Sequence, residues 1–294
     1  MKLSGLGEDE LVARWTRRLP RNPTLLVGPG DDCAVTGRRS DPLWTLLKTD
    51  CVIEGVHFTR ETDFARVGWK ALARAVSDIA AMGGEPRHAL ITVAFPPALE
   101  IAKADALYAG LRRCARKFGI AIAGGETSRS PGPVFISVAL TGEVERARCV
   151  TRSGGKPGDA LFVTGRLGGS ITGKHLDFIP RIQEARWLTE HFRLHAMMDL
   201  SDGLGADLPR LARASKCGFE LGNIPCSPGI SREAALSDGE DFELLFAVAS
   251  RQAARLEREW PFSKLPLTRV GSLTANRTHQ QDHRQDHHGF DHFA

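Results

Sequence analysis

Residues 69–84, WKALARAVSDIAAMGG, decide how this chain folds. The apolar side chains of this stretch recur at helical spacing and are Trp69, Leu72, Val76 and Ile79. The glycine pair at its end is typical of a helix C-terminus. Strand-like runs lie on both sides of the helix, at 43–48 and 88–95. Because strands that alternate with helices pack in layers, this pattern predicts an α/β fold.

The same alternation continues along the chain. A second helix is predicted to end at Gly119, and strands are predicted at 120–123 and 134–144. Turn-forming residues fill 151–159, TRSGGKPGD, and indicate a domain boundary. The segments predicted beyond it are strands at 160–164, 196–198, 219–221 and 242–249, and helices near 180–192, 204–215 and 251–260. We therefore expect two domains, 1–150 and 151–294.

The composition excludes several classes of protein. The chain has 294 residues, of which 42% are hydrophobic and 25% charged, as expected for a globular protein of two domains. No apolar run has the roughly 18 residues of a membrane span, and the start of the chain turns acidic at Glu8. The net charge of +4 is mild and its basic residues are dispersed, so we expect no nucleic-acid partner. Six scattered cysteines favour a reducing cytoplasm.

Many acidic residues fall at predicted turns, next to glycines or after strands. They are Asp31, Asp32, Asp50, Glu126, Asp199, Asp202, Glu240 and Asp241. Turn and helix-capping chemistry explains any one of them taken alone. However, ligands bind at the ends of sheets in α/β proteins. The recurrence of this placement therefore favours a shared binding site.

Asp78 adds a different observation. It falls in the last turn of its predicted helix, away from the apolar stripe. The negative end of the helix dipole disfavours an anion there by about 0.3–1 kcal/mol. A solvated surface aspartate is the alternative interpretation. A nearby cation would explain why an aspartate stands at this position.

These carboxylates suit a phosphate ligand that is bridged by a metal. A carboxylate and a phosphate repel by roughly 3 kcal/mol at about 5 Å in an effective dielectric of about 20. Mg²⁺ takes oxygen ligands and bridges one or two carboxylates to substrate phosphates. Ca²⁺ is the alternative, but the sequence has no Asp-x-Asp-x-Asp-Gly loop. The sequence therefore predicts a nucleotide held through Mg²⁺.

Two other segments could suggest a ligand. The stretch 168–175, GGSITGKH, nearly matches the P-loop pattern, but His175 stands where a hydroxyl should hold Mg²⁺. We interpret this stretch as a glycine-rich turn after a strand. The tail 279–294 is rich in histidine, and a transition metal is an alternative there. Its spacing follows no ligand template, so we expect no such site.

Eight short motifs, in order along nearly the whole chain, resemble the thiamine-monophosphate kinase family. They are GDDCA at 30–34, TD at 49–50, GVHF at 55–58, VSDIAAMG at 76–83, TRSG at 151–154, DLSDGL at 199–204, GEDFEL at 239–244 and GFDHF at 289–293. The resemblance implies a two-domain fold like that of aminoimidazole ribonucleotide synthetase. In that fold the N-terminal domains of two subunits pair into a shared barrel. It also implies a homodimer that transfers the γ-phosphoryl group of ATP to thiamine monophosphate.

The resemblance further implies roles for individual residues. The implied Mg²⁺ ligands are Asp32, Lys48, Thr49, Asp50, Asp78, Glu126, Asp199 and Asp202. The implied ATP contacts are Tyr108, Gly125, Glu126, Arg152 and Ser201. The implied substrate contacts are His57, Glu240 and Phe290. The residues expected to carry catalysis are Asp32, Asp78, Arg152 and Asp199.

Two positions depart from the family pattern. Lys48 stands where the family often has a serine that contacts metal, and Glu126 stands where it normally has aspartate. The extra methylene of Glu126 moves its carboxylate by about a bond length, which matters because Mg²⁺ demands near-octahedral geometry. Both departures leave open a paralogue that binds nucleotide without turnover.

Another enzyme of the same superfamily is the second alternative. Selenophosphate synthetase needs a reactive Cys or Sec in an N-terminal glycine-rich loop, which this sequence lacks. The hydrogenase-maturation dehydratase needs a C-terminal cysteine, whereas this chain ends with Phe293 and Ala294. A kinase that relies on positioning and charge neutralisation needs neither residue.

Overall fold

The structure is a computed structural model that describes residues 7–275, and these form a mixed α/β fold with two sheets. The strands of the first sheet are β1 (Leu25–Val27), β2 (Ala34–Thr36), β3 (Leu43–Ile53), β4 (Glu85–Phe95), β5 (Ala121–Arg129) and β6 (Phe135–Glu145). Those of the second are β7 (Ala160–Thr164), β8 (Leu194–Asp199), β9 (Gly218–Leu221), β10 (Leu244–Val248) and β11 (Leu267–Thr274). The predicted mixed α/β fold is confirmed.

Eight α-helices accompany these sheets within residues 7–275. They are α1 (Glu8–Thr16), α2 (Phe64–Ala81), α3 (Ile101–Phe118), α4 (Lys174–Asp177), α5 (Ile182–His191), α6 (Leu204–Ala214), α7 (Arg232–Ser237) and α8 (Ser250–Glu259). None of the helices in this part of the chain has the length and apolar character needed to cross a membrane.

Antiparallel pairing dominates both sheets. The first sheet has the order β1-β2-β3-β6-β4-β5, and its one parallel pair, β4 with β5, is connected through α3. The second has the order β8-β10-β7-β11-β9 and is antiparallel throughout. The first sheet ends at Glu145 and the second begins at Ala160. The predicted domain boundary at 150/151 lies between them and stays a prediction.

Helix α2 lies at the centre of the described structure. It contacts β3 and β6 of the first sheet, helix α3 beside it, and α4, α5 and β8 of the second half. Two glycines let α2 and α3 approach closely: a Cβ at Gly68 would lie 1.9 Å from the carbonyl oxygen of Leu107, and one at Gly110 would lie 1.9 Å from that of Ala65. Because most of α2 is buried, its polar side chains must find partners inside the protein.

Two of the predicted strands were too short. Strand β3 pairs with β6 as far as Ile53, so Asp50 lies inside a strand rather than after it. Strand β5 continues to Arg129, so Glu126 also lies inside a strand. Gly125, with a φ of 153°, does not end β5, and a Cβ there would lie 1.7 Å from the carbonyl oxygen of Ile91. Pairing with neighbouring strands overrides the local turn preference of these residues.

Candidate active site

Three aspartates from distant parts of the chain converge at a buried point. Asp32 precedes β2, Asp78 lies in the last turn of α2, and Asp199 ends β8. One oxygen of each carboxylate lies within 4.8 Å of the others. Their relative exposures are 3%, 6% and 3%, so Asp78 is not a solvated surface residue. We call Asp32, Asp78 and Asp199 the aspartate triad; it forms only when the two halves of the chain pack together.

Two members of the triad, Asp32 and Asp199, accept hydrogen bonds from neighbouring side chains that hold them in place. The Arg152 guanidinium donates two hydrogen bonds to Oδ1 of Asp32, at 3.1 and 2.5 Å. The Ser77 hydroxyl donates to Oδ2 of Asp199 at 2.5 Å. The second oxygen of Asp32, Oδ2, is buried and has no hydrogen-bond partner among the described residues. A buried oxygen without a partner costs free energy, and a bound cation would satisfy it.

The electrostatics of the triad favour a divalent cation. Burial and the neighbouring Asp32 raise the pKa of Asp199 to about 6. Burial likewise raises the pKa of Asp78. Carboxylates held this close repel one another unless a proton or a cation compensates them. Carboxylate oxygens are the ligands that Mg²⁺ prefers, so the donor set fits this ion.

Lys48 lies at the triad as a cation. Its ammonium donates to Oδ1 of Asp78 at 2.7 Å. Burial disfavours the charged ammonium, but Asp78 and Asp50 outweigh this effect and raise the pKa of Lys48. A protonated amine has three donors and no lone pair for a metal. The ligand role predicted for Lys48 therefore does not fit the ion pair that the structure contains.

The other predicted metal ligands lie outside the triad. Oδ2 of Asp50 is 3.3 Å from Nε of Arg74, and Asp202 forms an ion pair with Arg210. Thr49 on β3 and Glu126 on β5 are exposed. Among the acidic, histidine and cysteine side chains of residues 7–275, only the triad meets the spacing of a three-ligand metal site. The roles of these four residues stay predictions.

The predicted nucleotide contacts are spread over several elements. Arg152 contacts Asp32 of the triad directly. The backbone oxygen of Ser201 accepts a hydrogen bond from the amide of Glu240 at 2.7 Å. Gly125 lies on β5, and Tyr108 on α3 packs partly buried against the core of the first half. The structure therefore joins Arg152 to the triad and Ser201 to a predicted substrate residue.

A buried polar network joins two of the predicted substrate contacts. The Lys70 ammonium donates to Oε2 of Glu240 at 2.6 Å and to the backbone oxygen of His57 at 2.7 Å. His175 lies 2.9 Å from the same oxygen of Glu240. Burial would raise the pKa of Glu240, but His175 and Lys70 outweigh it and lower the pKa to about 2. Glu240 is therefore ionised at neutral pH. The third predicted contact, Phe290, lies outside the described residues.

Lys70 and Arg74 also belong to the site, although they were not predicted from the sequence. Their spacing would have indicated them. Together with Asp78 they are spaced four residues apart, which places all three on one face of α2. Arg74 lies within ion-pair distance of Asp50 and of Glu240, its Nη1 being 3.8 Å from Oε1 of Glu240. Arg74 thus lies between Asp50, a predicted metal ligand, and the polar network around Glu240. The apolar stripe of α2 predicts only its buried apolar face and gives no indication of this second, charged face.

The segment that resembles a P-loop has a different use. It follows β7 and contains a short 3₁₀ helix, Ser170–Thr172. Nζ of Lys174 lies 3.2 Å from Oε1 of Glu243 and 3.6 Å from Oδ1 of Asp241. A lysine paired with two buried carboxylates is not directed at a phosphate. The structure therefore agrees with a glycine-rich turn rather than a P-loop.

The first half of the chain matches a known protein family. A family model described as "AIR synthase related protein, N-terminal domain" matches residues 30–144. This range includes β2 to β5, helices α2 and α3, and nearly all of β6. The first half of the chain is thus similar to AIR synthase related proteins.

Comparisons that cover nine-tenths or more of the chain indicate one family. The chain is 40% identical over 286 residues to the thiamine-monophosphate kinase of Rhodopirellula baltica, covering 90% of this chain and 89% of the relative. It is 33% identical over 303 aligned positions to that of Escherichia coli K12, covering 92% and 91%. A solved structure, AaThiL complexed with AMPPCP and TMP, matches with a TM-score of 0.84 and 31% identity over 99% of each chain. The chain belongs to the thiamine-monophosphate kinase family.

Proposed function

We propose that this protein transfers the γ-phosphoryl group of ATP to thiamine monophosphate, with Mg²⁺, and so forms ADP and thiamine diphosphate. The convergence of Asp32, Asp78 and Asp199 beside Arg152 carries this proposal. Membership of the thiamine-monophosphate kinase family supports the choice of substrate. A similar solved structure is complexed with AMPPCP and TMP, which supports ATP as the phosphoryl donor.

The side chains of the site supply charge neutralisation and positioning. Mg²⁺ bound at the aspartate triad, through Asp32 and Asp199, would neutralise the phosphates of both substrates, so that two anions can approach each other. Arg152 uses two of its five N–H donors on Asp32 and keeps others for a phosphate oxygen. The attacking group is a phosphate oxygen that is already ionised near neutral pH. The residues of this chain therefore need to orient that oxygen rather than remove a proton from it.

Glu240 is proposed to face the cationic ring system of the thiamine moiety. Its carboxylate is ionised; Lys70 and His175 hold Oε2, and Arg74 lies 3.8 Å from Oε1. A carboxylate that is fixed in this way presents negative charge in a defined direction, which favours a cationic substrate. Lys70 also links His57 to Glu240, because its ammonium donates a hydrogen bond to the backbone oxygen of His57. Phe290 remains the proposed stacking residue.

A homodimer and a cytoplasmic location form part of the same proposal. Strand β5 lies at one edge of the first sheet, pairs with β4 on one side, and has mostly exposed residues. Such an edge is a template for pairing with another chain. Sedimentation velocity should then give about twice the chain mass of 32.0 kDa. A monomer at micromolar concentration would contradict the dimer. ATP and a phosphorylated vitamin are cytoplasmic substrates, which supports that compartment.

A single assay tests the reaction. Purified protein is incubated with Mg-ATP and thiamine monophosphate, and ADP and thiamine diphosphate are quantified together. We expect equimolar products, and none when EDTA replaces Mg²⁺. Thiamine in place of thiamine monophosphate serves as the control for the acceptor, and it should give no product. Nucleotide binding without thiamine diphosphate would reject the proposal and support a paralogue without turnover.

A further inference from the structure

The centre of the site contains basic side chains that already neutralise some of its carboxylates. Three basic side chains each contact a different carboxylate: Arg152 with Asp32, Arg74 with Asp50, and Lys48 with Asp78. Among the described residues, Asp199 is the one carboxylate of this group that pairs with a neutral hydroxyl, that of Ser77. The protein therefore compensates much of the negative charge that divalent ions would otherwise compensate.

Lys48 differs from the two arginines in its position. Its ammonium is a compact point charge, whereas a guanidinium is a broad planar group. It contacts Asp78, which belongs to the triad that has metal-ligand spacing. A compact cation at one member of such a triad stands where a metal ion would stand. Arg152 contacts the triad too, but Oδ2 of Asp32 still lacks a hydrogen-bond partner among the described residues.

The backbone holds both ends of this ion pair. Lys48 lies within β3 and is paired with Leu140 of β6, in the middle of the longest antiparallel ladder of the described sheets. Asp78 lies in the buried helix α2, which packs against β3. The Lys48 side chain is only partly exposed, at 22%. A cation tethered in this way is present at every metal concentration, because it does not have to bind from solution.

We propose that the Lys48 ammonium occupies one cation position of the aspartate triad, on Asp78, in place of a divalent ion. Divalent ions are then left with Asp32 and Asp199, and the site binds one ion fewer than its carboxylates would otherwise hold. The inference rests on the proposed function only in taking Mg²⁺ as the ion bound. It concerns the number of ions and not the phosphoryl acceptor.

Counting bound Mn²⁺ tests the inference without any turnover. Free Mn²⁺ is measured by electron paramagnetic resonance during titration of the full chain, in the presence of AMPPCP. Lys48→Ser removes the charge and supplies space and an oxygen, so we expect it to bind one more Mn²⁺ per chain than the wild type. The exposed Lys264, changed to Ser, is the matched control and should bind the wild-type number. Equal counts in wild type and Lys48→Ser would overturn the inference.

Melting temperatures provide a second readout, on a variant that keeps the bulk of the side chain. Lys48→Met removes the charge but supplies no oxygen ligand. In EDTA we expect it to melt below the wild type, since Asp78 loses its cation, and Mg²⁺ should raise its melting temperature more than that of the wild type. The same response to Mg²⁺ in both proteins would contradict the inference.

The wild-type protein itself provides a test that needs no variant. In a crystal grown with Mn²⁺ and AMPPCP, anomalous scattering locates every Mn²⁺ ion. We expect Lys48 to stay within hydrogen-bond distance of Asp78, with no Mn²⁺ bound to that carboxylate. A Mn²⁺ ion coordinated by Asp78, with Lys48 displaced, would reject the proposal. Because no thiamine compound is present in these experiments, failure of the kinase assay would leave their result unaffected, and the reverse is also true.

Discussion

The aspartate triad and Glu243 are both buried acids, but they are satisfied to very different degrees. Glu243 is 1% exposed and accepts hydrogen bonds on both oxygens. Its donors are the Arg181 guanidinium at 2.7 and 2.6 Å, the Thr164 hydroxyl at 2.9 Å and the Lys174 ammonium at 3.2 Å. The triad accepts the same number of side-chain hydrogen bonds spread over three carboxylates, and Oδ2 of Asp32 has none among the described residues. A fully paired buried acid stabilises the fold, whereas an incompletely paired one is available to a ligand.

The largest effect is expected from Asp199→Asn. This change keeps the shape of the side chain and a carbonyl oxygen for Ser77, but it removes a charge from the triad. The value of kcat/KM for thiamine monophosphate should fall by about 10²–10³-fold, as for other losses of transition-state charge stabilisation. The free energy of unfolding without Mg²⁺ should stay equal or rise, because repulsion with Asp32 is relieved. A fall in the free energy of unfolding with unchanged kcat/KM would show that Asp199 stabilises the fold and is not needed for catalysis.

Glu243→Gln is the matched change at the other site, and we expect the opposite result. It removes the nearest counter-charge of the half-buried Arg181 guanidinium, which then has only Glu184 among the described residues, at 4.0 Å. The free energy of unfolding should fall by about 3 kcal/mol, the lower end of the range for breaking a buried ion pair. Urea denaturation measures this, and kcat of the folded protein at low temperature should stay within about threefold of the wild type. A loss of kcat comparable to that of Asp199→Asn would show that Glu243 belongs to the active site.

The pH dependence of stability is expected to show the raised pKa of Asp199 directly. In the folded, metal-free protein the pKa of Asp199 is raised to about 6, above its ordinary value of 3.8. The contribution of Asp199 to stability is therefore present at low pH and is lost as the pH rises through about 6. In EDTA, the wild type should lose roughly 2–3 kcal/mol relative to Asp199→Asn between about pH 4 and pH 7. Mg²⁺ should reduce this loss, because it favours the ionised carboxylate. A constant difference across this range would refute the raised pKa.

The smallest effect is expected from Glu126→Asp. Glu126 lies exposed on β5, outside the triad, and stands where the family normally has aspartate. The shorter side chain should keep the kinase activity or raise it by no more than about threefold, since a water molecule can bridge a difference of one bond length. Steady-state kinetics at several Mg²⁺ concentrations measure this. A complete loss of activity would show that the position was misassigned.

The sequence predicted most of the elements but fewer of the contacts. Helix α2 and strand β7 were predicted from periodicity and glycine placement, because these signals act over a few neighbouring residues. Strands β1, β2 and β11, helix α1 and the short helices α4 and α7 were not predicted. They are short, or they depend on pairing with distant strands. The ends of β3 and β5 were wrong for the same reason, and Asp50 and Glu126 were therefore misplaced relative to their strands.

The ordered motifs predicted residues of the site but not the side chains with which these residues pair. The sequence indicated Asp32, Asp78 and Asp199, since each stands in a motif that resembles the family. It did not indicate that Lys48 pairs with Asp78, nor that Lys70 links His57 to Glu240. Side chains meet across elements according to strand register and helix packing, and a single sequence contains neither.

The alternation of strands and helices, the family and the identity of the three triad aspartates follow from the order of residues in the chain. Packing of the two halves determines which carboxylates lie together, which pair with a basic side chain, and which oxygen among the described residues has no hydrogen-bond partner. Ser77 and Asp199 are 122 positions apart in the chain, yet their side chains form a hydrogen bond. Local propensity acts over a few residues, whereas such contacts exist only after both halves of the chain have packed around α2.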